Sequence, residues 1–200
     1  MSRGRATRDR ILAATEQLLA ETPGASPSMG QIAEAGGVTR QLLYFHFDNR
    51  ADLLLELSRR IDAQARSPAR QARIDDAPDA VTALREAVAL QGHIKPKIHA
   101  VARVIDRLRH TDDDAAKVWG EREDARLGRC KDVVRRLIVE GVLAKGWDLS
   151  TAAHLMWAVT SMRSWEELVV ERGWSTRSWV RHTTRLLECA FVEKVNADRM

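Results

Sequence analysis

Three kinds of pattern are missing from this 200-residue chain, and each absence excludes a class of protein. No run approaches the roughly 20 apolar residues of a membrane-spanning helix, and the apolar stretch near the N-terminus is interrupted too soon for a secretion signal. Strand-like alternation, hairpin dipeptides and internal repeats are absent, so the sequence predicts an all-α protein. Cys130 and Cys189 lie far apart and form no CxxC pair, which predicts reduced thiols in a cytoplasmic protein.

Motifs of catalysis and cofactor binding are also missing. There is no GxGxxG or Walker loop, and no serine or cysteine lies in a nucleophile motif. The histidines are isolated, and His93 and His99 lack the spacing of metal ligands. The acidic run Asp112, Asp113 and Asp114 has the composition of a metal site, but a helix start explains it better. We therefore expect no cofactor, no bound metal and no enzymatic activity.

The most informative stretch is SMGQIAEAGGVTRQLLYFHFDNR, residues 28–50. Ser28 with Gln31 three residues later forms a capping-box pattern, and a Gly-Gly pair then provides a left-handed turn. Thr39 is suited to cap a second helix with Leu43 on its inner face. Arginine, glutamine and aromatic side chains are left outside, as a helix in the DNA major groove requires. Alone, the pattern fits an ordinary helical hairpin equally well.

The neighbouring segments favour a DNA-binding unit. Amphipathic helices are predicted upstream, over residues 7–21, and downstream, from residue 50 to about 66. With IAEAGGVT, LLYFHF and NRADLL between them, roughly residues 7–57 resemble the N-terminal domain of the TetR (tetracycline-repressor) family. Gln41 and Leu42 replace two residues that are usually small in that family, and Arg50 replaces its usual lysine.

The resemblance implies a helix-turn-helix that binds double-stranded DNA. Tyr44, His46 and Arg50 would lie along the phosphates, whereas Arg40 and Gln41 would meet base edges. The DNA-binding residues that we expect are Ser28, Thr39, Arg40, Gln41, Leu42, Tyr44, Phe45, His46 and Arg50. The four arginines among residues 1–10 predict either a basic arm on the DNA or a solvated tail.

A polar stretch near Ser67-Pro68 predicts the joint between two domains. We expect a DNA-binding domain with the N-terminal basic arm over residues 1–66 and an α-helical ligand-binding and dimerisation domain over residues 67–200. In the second domain, one helix is expected to end near Gly92 and the next to begin at Pro96. A later helix is expected to be capped by Ser150 and to reach about residue 172.

The last two predicted helices have more apolar surface than one small domain covers, which indicates either a partner subunit or a purely internal core. The resemblance favours a homodimer in which these helices form a four-helix bundle with their mates. The interface residues that we expect are Met162, Trp165, Leu168, Val169, Trp179, Leu186 and Ala190.

A small-molecule effector is also implied by the resemblance. Its candidate contacts are His99, Arg103, Trp119, His154, Met156 and Trp157, although each is equally explicable as a core or surface residue. The ligand is expected to be mostly apolar, with neutral or anionic compounds preferred over cations.

Together these features predict a one-component transcriptional repressor that binds a palindromic operator as a homodimer and is released by its effector. Two alternatives stay open. One is a ligand-independent DNA-binding or architectural protein of the same fold, and the other is an α-helical enzyme with a DNA-like hairpin. No membrane partner is expected.

Overall fold

The computed structural model describes residues 3–21 and 27–193, and this part of the chain confirms the predicted all-α fold. It contains no β-strand, only an isolated antiparallel bridge between Leu143 and Val192. The helices are α1 (Arg3–Glu21), α2 (Met29–Ala35), α3 (Arg40–His46), α4 (Arg50–Ala65), α5 (Pro68–Asp75), α6 (Ala80–Leu108), α7 (Asp113–Val139), α8 (Leu149–Val159), α9 (Met162–Trp165) and α10 (Thr176–Phe191). A π-helical segment, Glu166–Glu171, follows α9. Every helix described is too short or too polar to cross a bilayer.

The described chain packs as two compact units. The first comprises the residues up to Ala65 together with Lys97–Arg122, and the second comprises Arg66–Pro96 together with the chain from Glu123 onward. Helices α6 and α7 therefore contribute residues to both units. No pattern in the sequence predicted this clustering of residues 97–122. The division into functional domains at residue 66 stays a prediction.

The predicted helix boundary at Gly92 and Pro96 is wrong, because α6 continues through both residues. Gly92 has a packing role instead. An ideal Cβ built there lies 2.2 Å from Cγ2 of Val180, so the missing side chain allows α6 and α10 to pack closely. Pro96 removes one N–H from the helical ladder without ending the helix.

We expect Gly92→Ala to destabilise the protein by about 1–3 kcal/mol, because the new methyl group overlaps Val180. Chemical denaturation measures the change. Gly128→Ala is the matched control, since nothing lies within 4 Å of a Cβ at that helical position and alanine is the better helix former. Adding Val180→Ala to Gly92→Ala should restore part of the loss. Equal stabilities for the two alanine variants would contradict the packing role.

The helix expected from Ser150 to about residue 172 is interrupted. Asp148, not Ser150, caps α8, and its carboxylate accepts a hydrogen bond from the N–H of Thr151 at 2.8 Å. Helix α8 ends before Thr160, whose hydroxyl donates to the carbonyl of Met156 at 2.6 Å. Ser161 then caps α9. Side-chain hydrogen bonds of this local kind compete with the backbone ladder and explain the break.

Candidate nucleic-acid interface and ligand cavity

The α2–α3 turn is defined by two capped helix starts. Ser28 and Gln31 form the reciprocal capping box, with the N–H of Ser28 donating to Gln31 Oε1 at 2.9 Å. Gly37 adopts a φ of +59°, a left-handed conformation that favours glycine. Thr39 Oγ1 then accepts a hydrogen bond from the N–H of Leu42 at 3.1 Å. These contacts confirm the predicted caps and fix the start of α3.

Helix α3 has one buried face and one exposed face. Leu43 is fully buried, and Phe47, the residue after the helix, is also buried in the first unit. On the other face, Phe45 is 82% exposed and Tyr44 is 52% exposed. Apolar side chains this exposed on a short capped helix indicate a surface that contacts a partner. The guanidinium of Arg40 lies against α2, where a Cβ at Gly30 would be 2.7 Å from its Nη2.

Arg8 of α1 holds the C-terminal end of α3 in place. Its Nη1 donates to the backbone carbonyl of His46 at 2.7 Å, and its Nε donates to Glu56 Oε1 of α4 at 2.6 Å. Nη2 pairs with the second oxygen of Glu56, and the guanidinium lies 4.5 Å from the centre of the Phe47 ring. Hydrogen bonding from Arg8 holds the pKa of Glu56 below its usual range.

The described residues of the predicted basic arm are helical, and their contact with DNA stays a prediction. From Arg3 onward the segment belongs to α1, and Arg8 is committed to contacts inside the first unit. Arg5 and Arg10 are exposed. Residues 1 and 2 of the arm lie outside the described residues. A regular helix forms because no glycine or proline interrupts the segment after Gly4.

A cavity of about 350 Å³ lies within the second unit. Helices α5, α6, α7 and α8 supply most of its lining. Its apolar contacts include Ile74, Leu90, Val133 and Met156. A volume of this size is at the lower end of the range for small-molecule sites.

Arg126 is the most buried charged residue of the cavity lining, with 6% of its surface exposed. Its Nη2 and Nε both donate to Glu123 Oε2, at 2.7 and 3.1 Å. Its Nη1 donates to the carbonyl of Trp157 at 2.6 Å and lies 3.4 Å from Thr160 Oγ1. The guanidinium also stacks on the Trp157 ring, 4.6 Å from its centre. Arg126 therefore connects α7 to the C-terminal end of α8.

Comparison with known proteins is consistent with the exposed, capped helix-turn-helix. Residues 11–57 match the model of the family described as bacterial regulatory proteins, tetR family. Residues 11–57 therefore carry the N-terminal domain that the tetR family shares. The chain is 28% identical over 168 residues to the regulator TtgR of Pseudomonas putida, with 80% of each chain covered. It is 27% identical over 184 residues to the repressor BepR of Brucella suis, covering 84% of this chain and 83% of BepR.

Solved structures support the same fold. A crystal structure of a transcriptional regulator from Saccharomonospora viridis in complex with choline superposes with a TM-score of 0.79 at 21% sequence identity. The match covers 95% of this chain and 100% of that one.

All nine residues that we expect to bind DNA are accessible. Those on the exposed side of the motif are Ser28, Thr39, Arg40, Gln41, Leu42, Tyr44 and Phe45, whereas His46 and Arg50 are half-buried. Their contacts with DNA stay a prediction.

The six expected ligand contacts are not brought together. Met156 lines the cavity, and Trp157 lies under the Arg126 guanidinium. His154 is exposed on α8. The other three, His99, Arg103 and Trp119, belong to the first unit.

Sequence reasoning missed the arginines of α7 that line the cavity. Residues 126, 129, 133 and 136 recur at three- and four-residue spacing and so share a helix face. Because three of them are arginines, the sequence alone predicts a solvated face for this part of the helix. These arginines lie beside the apolar stripe of Cys130 and Val134 on the same helix. That position was the sequence signal that could have identified them as lining residues.

The expected dimer-interface residues fall into two groups. Trp165 of α9 and Trp179 of α10 are buried inside the second unit, at 5% and 0% exposure. Trp179 is buried because the inward face of α10 repeats every four residues from Trp179 to Phe191. The two tryptophans therefore have almost no surface left for a partner. Leu186 is 54% exposed. The half-buried members are Met162, Leu168, Val169 and Ala190.

The acidic run at residues 112–114 has a structural role at the start of α7. Asp112 Oδ1 accepts a hydrogen bond from the N–H of Ala115 at 3.0 Å. Among the described residues, no group of three or more histidine, cysteine or acidic side chains is arranged to hold a metal ion.

Proposed function

We propose that this protein is a one-component transcriptional repressor that binds a palindromic operator as a homodimer in the cytoplasm and is released by a small-molecule effector. The observation that most supports DNA recognition is α3, which exposes Arg40, Gln41, Tyr44 and Phe45 on a helix fixed by its cap and its buried face. Repression is supported by the relative BepR, which is named a transcriptional repressor.

Release by an effector would be a population shift. The ligand would favour a conformation in which the two copies of α3, the recognition helix of each subunit, no longer fit successive major grooves, about 34–36 Å apart in B-DNA. Helices α6 and α7 supply residues to both units, so their movement is one way in which ligand binding could change the position of α4 and the helix-turn-helix. The cavity of the second unit supports this proposal over a ligand-independent regulator of the same fold.

Effector release is tested by screening compounds for thermal stabilisation and then measuring operator affinity with each hit. Since linkage is reciprocal, a true effector must bind free protein more tightly than operator-bound protein. Hits that stabilise the protein and leave operator affinity unchanged would support the ligand-independent alternative instead.

Gln41→Ala should relax sequence preference at one base position in each half-site. A glutamine amide suits the N6 and N7 atoms of adenine, so its removal should cost roughly 1–3 kcal/mol against the preferred base and little against the others. Binding-site selection with the variant measures the effect. An unchanged selected motif would show that Gln41 does not contact a base.

Arg50→Ala should weaken binding to every DNA sequence by a similar factor. If Arg50 contacts a phosphate, its removal should lower the slope of log affinity against log salt by about one unit for each copy engaged. Titrations at several salt concentrations measure this slope. Arg59→Ala on the same helix is the control, because Arg59 is exposed and pairs with Glu121 at 4.0 Å. Loss of affinity for only one operator sequence would mean that Arg50 contacts bases.

A further inference from the structure

The cavity lining has a surplus of positive charge over negative charge. Four arginines line it, Arg66, Arg126, Arg129 and Arg136, against two carboxylates, Asp75 and Asp132. Three of these charges pair with residues outside the lining, Asp132 with Arg135 at 2.6 Å, Arg126 with Glu123 at 2.7 Å and Arg136 with Glu140 at 2.8 Å. With these partners included, five arginines stand against four carboxylates, so the surplus is one positive charge before Lys95 is added. A mostly apolar site with such a surplus favours a ligand of opposite charge.

A buried lysine adds to the positive potential. Lys95 is 3% exposed, and its Nζ donates to Oε1 of Gln91 at 3.3 Å. Gln91 lines the cavity, so the ammonium lies one side chain away from the ligand space. Nζ also lies 5.7 Å from the centre of the Trp179 ring. A charge in surroundings of low polarity acts over a longer distance than it does in water.

The buried thiol of Cys130 also lines the cavity and lies close to several of these positive charges. Burial raises its pKa, and the positive charges of Arg126, Arg129 and Lys95 act in the opposite direction. Glu123 is the carboxylate among the charges that act most strongly on this atom. Cationic side chains therefore outnumber carboxylates among the strongest influences on this thiol.

We propose that the cavity selects organic monocarboxylates, with the apolar body against Leu90, Val133 and Met156 and the carboxylate on the guanidinium of Arg126. This inference rests on the proposed function, since it names the class of effector. It also replaces Arg103 and the histidines, the polar ligand contacts expected from the sequence, with Arg126. Arg126 lines the same cavity as the apolar contacts.

Carboxylate binding at Arg126 would also affect the end of α8. The same guanidinium donates to the carbonyl of Trp157, just before the chain breaks at Thr160. A ligand carboxylate competes with that carbonyl for the Arg126 donors, and the end of α8 loses a contact. The segment that follows carries Leu168 and Val169, two residues of the proposed dimer interface. Ligand binding would thereby act on a segment next to the proposed dimer interface.

The charge preference is tested with three compounds that share one apolar body. Phenylbutanoate, phenylbutanamide and phenylbutylamine differ mainly in charge, and calorimetric titration of the full-length protein measures their affinities. We expect the carboxylate to bind about 10-fold or more tightly than the amide, because a charge-assisted hydrogen bond is lost in the amide. The amine should bind least. Equal affinities, or no binding of any compound at millimolar concentration, would overturn the proposal.

Two variants test the position of the carboxylate. Glu123→Gln with Arg126→Gln removes both charges together, so that neither is left buried without its partner, and should reduce the preference for carboxylate over amide by about 10-fold. Arg73→Gln is the control, since Arg73 pairs with Glu86 at 2.9 Å and is not a lining residue. A preference that survives in the double variant would assign the charge to another residue and overturn the role of Arg126.

A variant that fills the cavity tests the location without changing charge. Ala87→Phe introduces a ring into the lining and should abolish binding of all three compounds, whereas unaltered binding would show that the compounds bind elsewhere. The two proposals fail separately. A carboxylate that binds through Arg126 and leaves operator affinity unchanged contradicts effector release but not the anion site. Loss of the charge preference contradicts the anion site but not the repressor.

Discussion

Leu186→Glu is expected to convert the proposed homodimer into a folded monomer. Leu186 lies on α10, one turn after His182, whose ring contacts Trp174 at 5.3 Å. Leu186 and Trp174 are both exposed in the single chain, so a glutamate at position 186 costs the monomer little. In a dimer it would bury an unpaired charge. Because two linked half-sites bind far more tightly than one, operator affinity should fall by about 100-fold or more.

Sedimentation at micromolar concentration measures the oligomeric state, and circular dichroism checks that the variant is folded. Val139→Glu is the matched control, since Val139 is 79% exposed on α7 and lies outside the proposed interface. A wild-type protein that sediments as a stable monomer would contradict the homodimer. A Leu186→Glu variant that stays dimeric would move the interface away from α10.

Arg8→Met should loosen the recognition helix and destabilise the first unit. The substitution removes the hydrogen bond to the carbonyl of His46 and the ion pair with Glu56. Since the two side chains are about one-third exposed, we expect a loss of about 1–3 kcal/mol in the free energy of unfolding, less than for a fully buried pair. Arg10→Met, an exposed position on the same helix, is the control. Equal stabilities of the two variants would contradict this role for Arg8.

The same contact predicts a pH dependence. The pKa of Glu56 is lowered in the folded state by Arg8, so the contact stabilises the protein fully above the ordinary carboxyl pKa of 4.5. That stability is lost as the pH falls through the lower folded-state pKa. In Arg8→Met the loss on acidification should be smaller, and urea denaturation at several pH values measures it. An identical pH dependence in wild type and variant would mean that Glu56 does not respond to Arg8.

Local signals in the sequence predicted the helix-turn-helix because its determinants are close together along the chain. Ser28 caps α2 through a contact with Gln31, three residues later. Thr39 caps α3 through a contact with Leu42, also three residues later. The prediction for Gly92 is wrong because its role depends on Val180, 88 residues away in the sequence. In sequence, a glycine that allows close packing of another helix cannot be distinguished from a glycine that ends a helix.

The cavity was predictable only in part. An apolar ligand site in the helical region follows from the family resemblance, but its residues depend on which faces of α5, α6, α7 and α8 meet. The position of Arg126 beside the apolar stripe of α7 indicates that it lies at the edge of the core, but its burial depends on Trp157 and Thr160, which the pattern of α7 does not reveal. His154 and Trp157 are three residues apart on α8, yet His154 is exposed and Trp157 is half-buried, because only Trp157 lies against Arg126 of α7.

The most direct test of the proposed repressor is selection of binding sites from random double-stranded DNA by the purified protein. A homodimer with two copies of α3 should enrich an inverted repeat whose half-site centres are about 10–10.5 base pairs apart, or slightly more if the DNA is deformed. Each half-site should lose preference at one position when Gln41→Ala is used in the selection. Enrichment of a single unrepeated site, or no enrichment over the starting library, would contradict the proposal.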